Sequence, residues 1–568
     1  MSRALIAIFA FLLLTVSAIP SPREVLWSNK TFGPDGPWRA VQTQLGPKGT
    51  KIDLFPGSSW ETYLIDQSYC KQDTCYASKA GTYDKKASGY SGGIGIQGPL
   101  EAFMLGVNLD GDDGTRWLDE VSFNGQTVKN TSLVLLTDAQ TVSYPGGQKS
   151  PFFAGCLSLG GDRETNQSFT VSAGVPSINA SLPSGYLWEH GATDSNSFGM
   201  HIGSVQPDLP GSLFFGGYDK NRVAGDILSM TGSFRSGITL WDVGIDVVDG
   251  KSPFSFPSNK TGLLSKSAGS GIKVRIDGCS PYITLPKAVC DNIAAELPVN
   301  FDDSLGLYLW DTNSDKYKEI VPSATALSFS FISDSNTDPI KVRVPFMHLN
   351  LTLTDPIATS PRTPYFPCHV NNSTNYVLGR AFLQDAFVGG NWHPDVNKWW
   401  LAQAPGPSIQ ATTSVVTIGT KDSTIQKGGN NWEASWKGVW TAVEAAPSSS
   451  PTEDTSKNID SGGSGGLSTA AKAGIGAGCG VAALALLALV VFLLRRRRRQ
   501  QELAAQPVHI PVAQTPQTNS VYTSHTTVSK TPVNDAVPYA PPSELANDVS
   551  IQTLQREQAR YERFELGT

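Results

Sequence analysis

KIDLFPGSSWETY, residues 51–63, is the stretch on which the reading of this chain turns. Ile52 and Leu54 alternate with Lys51 and Asp53, the period of a strand with one buried face. Pro56-Gly57 then predicts a tight turn. Ser58 and Ser59 follow, and the chain enters a second apolar strand.

Composition agrees with a β-rich reading. The 55 Gly and 37 Pro among 568 residues imply many turns, and 13 Trp with 24 Phe suffice for a large packed domain. Short apolar or alternating runs separated by Gly, Asn and Asp fall at 121–123, 132–136, 212–215, 239–248, 326–332 and 350–353. One helix is expected at 286–297, entered through Pro286. A net charge of −6 argues against a nucleic-acid partner.

The ends carry targeting signals. Arg3, an apolar run at 4–14 and Val16-Ser17-Ala18 read as a signal peptide, residues 1–18. Residues 474–494 hold no charge and precede five consecutive Arg, 495–499. A bilayer needs about 20 apolar residues, and the Arg run sets the C-terminus in the cytoplasm. The expectation is a single-span type I protein: ectodomain 19–404, stalk 405–472, span 473–494 and disordered cytoplasmic tail 495–568. The plasma membrane is favoured over vacuole or endosome. Within the stalk Trp432, Trp436 and Trp440 recur every four residues, a spacing for one helix face packed on the domain or membrane. Tyr561 and Phe564 frame a Tyr-x-x-Φ form that a sorting adaptor would read.

Eight sequons suit a luminal or extracellular domain: Asn29, Asn130, Asn166, Asn179, Asn259, Asn350, Asn371 and Asn372. Six of the seven Cys lie in that domain. Cys70 and Cys75 can close a small loop, Cys290 and Cys368 form the second expected pair, and Cys156 and Cys279 remain either buried thiols or a third bond. No metal or cofactor is expected.

Four segments in order carry a family resemblance: KIDLFPGSSWETY; PGSLFFGGYD at 210–219; KVRIDGCSPYITLP at 273–286; and YVLGRAFLQD at 376–385 with WWLAQA at 399–404. Together they resemble the pepsin-like aspartic proteases. The resemblance implies an all-β bilobal fold, with a first lobe at about 27–225 and a second at 226–404. It also implies two active-site loops of the form Asp-Thr-Gly. Asp277 stands on the second catalytic position. Phe55 stands on the first, with Pro56 in place of Thr.

That difference matters chemically. Two carboxylates sharing one proton activate a single water, one as base and one as acid. Phe55 can do neither. Pro56 and Gly278 withhold the hydroxyls that brace the family's loops, Cys279 replaces a Gly, and no Tyr occurs between residues 91 and 143, where the family's flap lies. Ser158 stands where a Gly is usual beneath the first loop. Asp53, about 6–7 Å back along the strand by its rise, is too distant to substitute. Phe55 follows residue 18 by 37 positions, little more than the first strands need, so an inhibitory pro-segment is not expected. Phe55→Asp alone should fail to restore activity and should bury like charge beside Asp277.

The chain looks most like the membrane-anchored pepsin-like proteins of filamentous fungi. The first expectation is an inactive pepsin-like ectodomain that binds a peptide or glycoprotein segment in its cleft. The alternatives are an active endopeptidase with an unusual site and a structural surface glycoprotein. Peptide cleavage in acid separates the second from the rest.

Overall fold

The computed structural model describes residues 19–444 apart from 71–73, 89–95, 171–176, 265–270, 359–361, 371–374 and 410–411. The signal peptide expected at 1–18, Asn371, Asn372, the apolar run at 474–494 and the C-terminal residues with Tyr561 and Phe564 lie outside the described residues. Strands make up 43% and helices 11%, so the chain is mainly β as expected.

Residues Thr50–Gly57 form one strand with Ile52, Leu54 and Phe55 buried. It runs straight through Pro56-Gly57, and the turn expected there comes later, at 58–61. The pairing explains this. The Trp38–Leu45 strand covers one edge only as far as Leu54, opposite Val41. Among the described residues, the strand paired with it beyond Leu54 is Gly155–Ser158, in parallel register with Leu54 through Gly57. Pro56 has no N–H to offer, and on that uncovered edge none is required.

Gly155–Ser158 lies between this strand and Thr62–Ile65, parallel to the first and antiparallel to the second. The second half repeats the device. Val377–Leu378 lies between Ile272–Ile276 and Ile283–Thr284, again parallel to one and antiparallel to the other. A duplication invisible in composition is explicit in the strand topology.

Among the described residues the larger sheets are a ten-stranded and a three-stranded one in the first half and a seven-stranded and a four-stranded one in the second. A six-stranded sheet joins them, with Ser197–His201 of the first half antiparallel to Ala386–Asn391 of the second. Arg23–Glu24 pairs with Ser212–Phe215 in that sheet, so the first lobe begins before residue 27. The expected helix spans Lys287–Ala294, and its buried Cys290 is bonded to Cys368. Cys70 is bonded to Cys75.

The segment after Ala404 corrects the stalk reading, because its described part belongs to the folded unit. Val415–Thr417 pairs with Gly217–Asp219. Thr441 and Val443 then bridge to Ser323 and Gly250 of the second half. The three Trp do not share a helix; only a 3-10 turn, Ala434–Trp436, forms. Trp432 and Trp436 are nevertheless buried against Ala326, with Met347 and Val248 beside them. Apolar area of this size is worth removing from water whatever the backbone does. Trp436 also covers His348 at 4.8 Å, whose Nδ1 lies 2.6 Å from Asp385 Oδ2. Burial raises the pKa of Asp385, and His348 opposes that rise. Among the described residues no helix is long and apolar enough to cross a membrane.

Candidate active site and the closed cleft

Asp277 ends the Ile272–Ile276 strand at the meeting of the halves and is buried. Five donors surround its carboxylate. Oδ1 accepts the Ser58 amide (3.1 Å), the Ser58 hydroxyl (3.1 Å) and the Cys279 amide (3.3 Å). Oδ2 accepts the Leu105 amide (3.3 Å) and shares the single hydrogen of the Ser280 hydroxyl (2.6 Å) with the Leu105 carbonyl. A carboxylate offers about four lone-pair sites, so these donors leave none to orient a water.

Phe55, on the opposing loop, is buried beneath a guanidinium. Arg380 Cζ lies 4.0 Å from the Phe55 ring centroid and 5.3 Å from that of Trp38. Arg380 Nη1 donates to the carbonyls of Gly278 (3.1 Å) and Cys279 (2.7 Å). Burial lowers its pKa, and Asp35 and Asp277 work against that. A cation therefore lies beside the first loop. Asp35 is buried near it, its pKa raised by burial while Arg380 and the Trp38 indole (2.8 Å) favour its charge.

The loops touch without their bracing hydroxyls. A Cβ on Gly278 would collide with the Pro56 carbonyl, and one on Gly57 with Cys279 Sγ, so both must be Gly. Cys279 does not merely crowd the loop; it is bonded to Cys156 of the other half, Cα to Cα 5.8 Å, inside the normal range for a disulfide. Residues 123 apart are joined, a closure that removes about 4–5 kcal/mol of denatured-state freedom in the chain-entropy account.

Residues 103–106, within the stretch where the resemblance places a flap, pack onto the Asp277 loop. Phe103 stacks on Tyr63 at 5.1 Å and meets Phe152 edge-on. The chain then lays Leu105 on Asp277. Its carbonyl meets the Ser280 hydroxyl, and the Gly106 carbonyl accepts from Thr284 Oγ1 at 2.9 Å. Gly106 has φ +79°, and a Cβ there would meet Thr284 and Val377 at 2.9 Å. Further links cross between the halves: Tyr144 with Tyr282 (2.9 Å), the Gly146 amide to Ser304 (2.8 Å) and the Thr354 amide to Pro34 (2.7 Å). A water-sized cavity of about 30 Å³ remains beside Phe55 and Arg380.

Of the residues singled out from sequence, Phe55, Asp277, Gly278 and Cys279 converge here. Asp53 does not; it accepts from Ser28 at 3.1 Å and sits 3.9 Å from Lys30. Asn29, Asn166, Asn179 and Asn259 are exposed, whereas Asn130 and Asn350 are half-buried. Sequence reasoning missed Arg380 and Leu105. The one available signal for Arg380 was a charge inside the apolar stretch YVLGRAFLQD.

Comparison with known proteins agrees with this architecture. The model of the family described as eukaryotic aspartyl protease matches residues 50–404. Rhizopuspepsin-4 of Rhizopus niveus is 24% identical over 288 residues, which cover 50% of this chain and 62% of that protein. The match thus spans under two thirds of that relative.

Proposed function

This chain belongs to the eukaryotic aspartyl protease family, and from that premise we propose that it is a catalytically inert member that binds instead of cleaving. One observation carries the reading: the first carboxylate position is Phe55 beneath Arg380, while Asp277 has its acceptor capacity filled by five donors. General acid–base catalysis needs both a free base and a positioned water, and neither is provided for. The domain is displayed from a membrane through the apolar run at 474–494, carries glycans on its exposed sequons and has a cytoplasmic tail that an adaptor reads at Tyr561 and Phe564.

The ligand we assign is an extended peptide or glycoprotein segment. Residues 104–107 fill the centre of the cleft, so such a ligand enters only by displacing them. The test is incubation of the full chain with a diverse peptide mixture across acid pH, read by mass spectrometry for cleavage and for retention. Retention without cleavage is expected. Pepstatin-sensitive cleavage that disappears in Asp277→Asn would overturn the inert reading in favour of an endopeptidase.

A further inference from the structure

We propose that the Cys156–Cys279 disulfide is a redox latch on the cleft. While it is intact the lobes stay closed over residues 104–107; its reduction releases that segment and opens the cleft to an extended peptide. The inference rests on the cleft being the ligand site, but its test reads the segment itself.

Position carries the argument. Cys156 is paired in register with Phe55 on the first-half ladder. Cys279 follows Asp277 by two residues, and its amide helps hold the carboxylate to which Leu105 is bound. The bond thus ties the floor of the first lobe to the loop that grips the segment. Apart from the six-stranded sheet that joins the halves and the segment after Ala404, the cross-lobe links described above are hydrogen bonds, which exchange readily with water. Cys70–Cys75 lies within the first lobe and Cys290–Cys368 within the second. Among the described disulfides only Cys156–Cys279 crosses between lobes, and only it must be broken by chemistry.

The step balances with a dithiol as reductant. One of its thiolates attacks a sulfur to form a mixed disulfide, and its second thiol expels the protein thiolate and closes a cyclic disulfide. Two electrons and two protons pass to the protein, leaving Cys156 and Cys279 as thiols. Both are fully buried, so attack requires transient opening of the structure around them. The bond therefore reduces more slowly than the half-buried Cys70–Cys75.

Amide hydrogen exchange on the full chain tests this. In a Cys156→Ser, Cys279→Ser variant the amides of Leu105 and Gly106 should exchange at least tenfold faster than in wild type. A folded variant with unchanged protection there would overturn the latch and leave the peptide-binding reading untouched. If the variant fails to fold, wild-type chain is treated with dithiothreitol under native conditions, alkylated and mapped. Molecules labelled at both Cys156 and Cys279 should remain folded and show the same acceleration. A bond that yields only when the protein unfolds, or labelled molecules with wild-type protection, would refute the proposal.

Discussion

The Thr50–Gly57 and Ile272–Ile276 strands are built alike and end differently. Each has a parallel partner, Gly155–Ser158 or Val377–Leu378, and each delivers a side chain to the meeting of the lobes. The first delivers a phenyl ring, Phe55, from within the strand, and the second an acid, Asp277, just past its end. The difference teaches what a carboxylate does once it has no partner to share a proton with. Asp277 has become an acceptor that collects donors from Ser58, Leu105, Cys279 and Ser280. On the first strand an aromatic ring and a cation occupy the matching space.

The strongest way to break this comparison is to make the two strands end alike. Phe55→Asp should give no useful turnover; the missing acid–base partnership alone is worth about 10²–10⁴-fold. The sequence-based expectation of buried like charge needs correction, because the new carboxylate would face Arg380, which sits 4.0 Å from the ring. It would pair with the guanidinium instead of sharing a proton with Asp277. Turnover near that of ordinary pepsins, assayed in acid with pepstatin as control, would refute this.

The next effect tests Asp277 as an acceptor. Asp277→Ala strands several buried donors, each worth about 1–3 kcal/mol when unsatisfied, so a loss of about 3–5 kcal/mol is expected in urea unfolding. Asp277→Asn keeps one acceptor oxygen and should cost clearly less. Equal costs would mean that the hydrogen bonds are not what matters.

Arg380→Met probes the other side. It removes the contact with Phe55 and two charge-assisted bonds and leaves Asp277 without its nearby cation, a loss of about 2–4 kcal/mol. Arg380→Lys should not rescue it, since an ammonium lacks the planar face that stacks on the ring. Full stability in either variant would remove the cation from the account.

The smallest effect concerns one buried imidazole in each half. Burial lowers the pKa of His201 to about 3 and of His369 to about 4; Arg222 adds to the effect at His201, and backbone hydrogen bonds oppose it at both. Both are neutral when folded. The unfolded chain binds their protons first, so stability present above about pH 6.5 is lost as pH falls, by about 2 kcal/mol each at pH 5. Asp35 and Asp385 act in the opposite sense, because their raised values make the folded chain lose stability as pH rises through them. A His369→Asn variant isolates one contribution. Its stability should fall less than that of wild type between pH 6.5 and 5, and parallel curves would show that His369 does not titrate on unfolding.

Local rules made much of the fold legible. Alternation marked the strands, Pro286 marked the helix start, and the Cys spacing marked Cys70 with Cys75. The same rules failed at Pro56-Gly57, where turn chemistry was overridden because the strand has a neighbour on one edge only. They also failed beyond Ala404, where weak periodicity concealed a segment held by tryptophan burial.

The sequence by itself determined that residue 55 carries no acid and that the chain is mainly β. Those follow from the chemistry of single residues and from period-two patterning, which need no knowledge of distant neighbours. Only the tertiary structure decided which groups meet around Phe55 and Asp277: Arg380 on Phe55, Leu105 on Asp277, and Cys156 bonded to Cys279. These partners lie 123 to 325 residues apart in the chain. No local propensity selects among such pairs; they are chosen when two folded lobes close and every buried charge, donor and sulfur must find a partner in the space that remains.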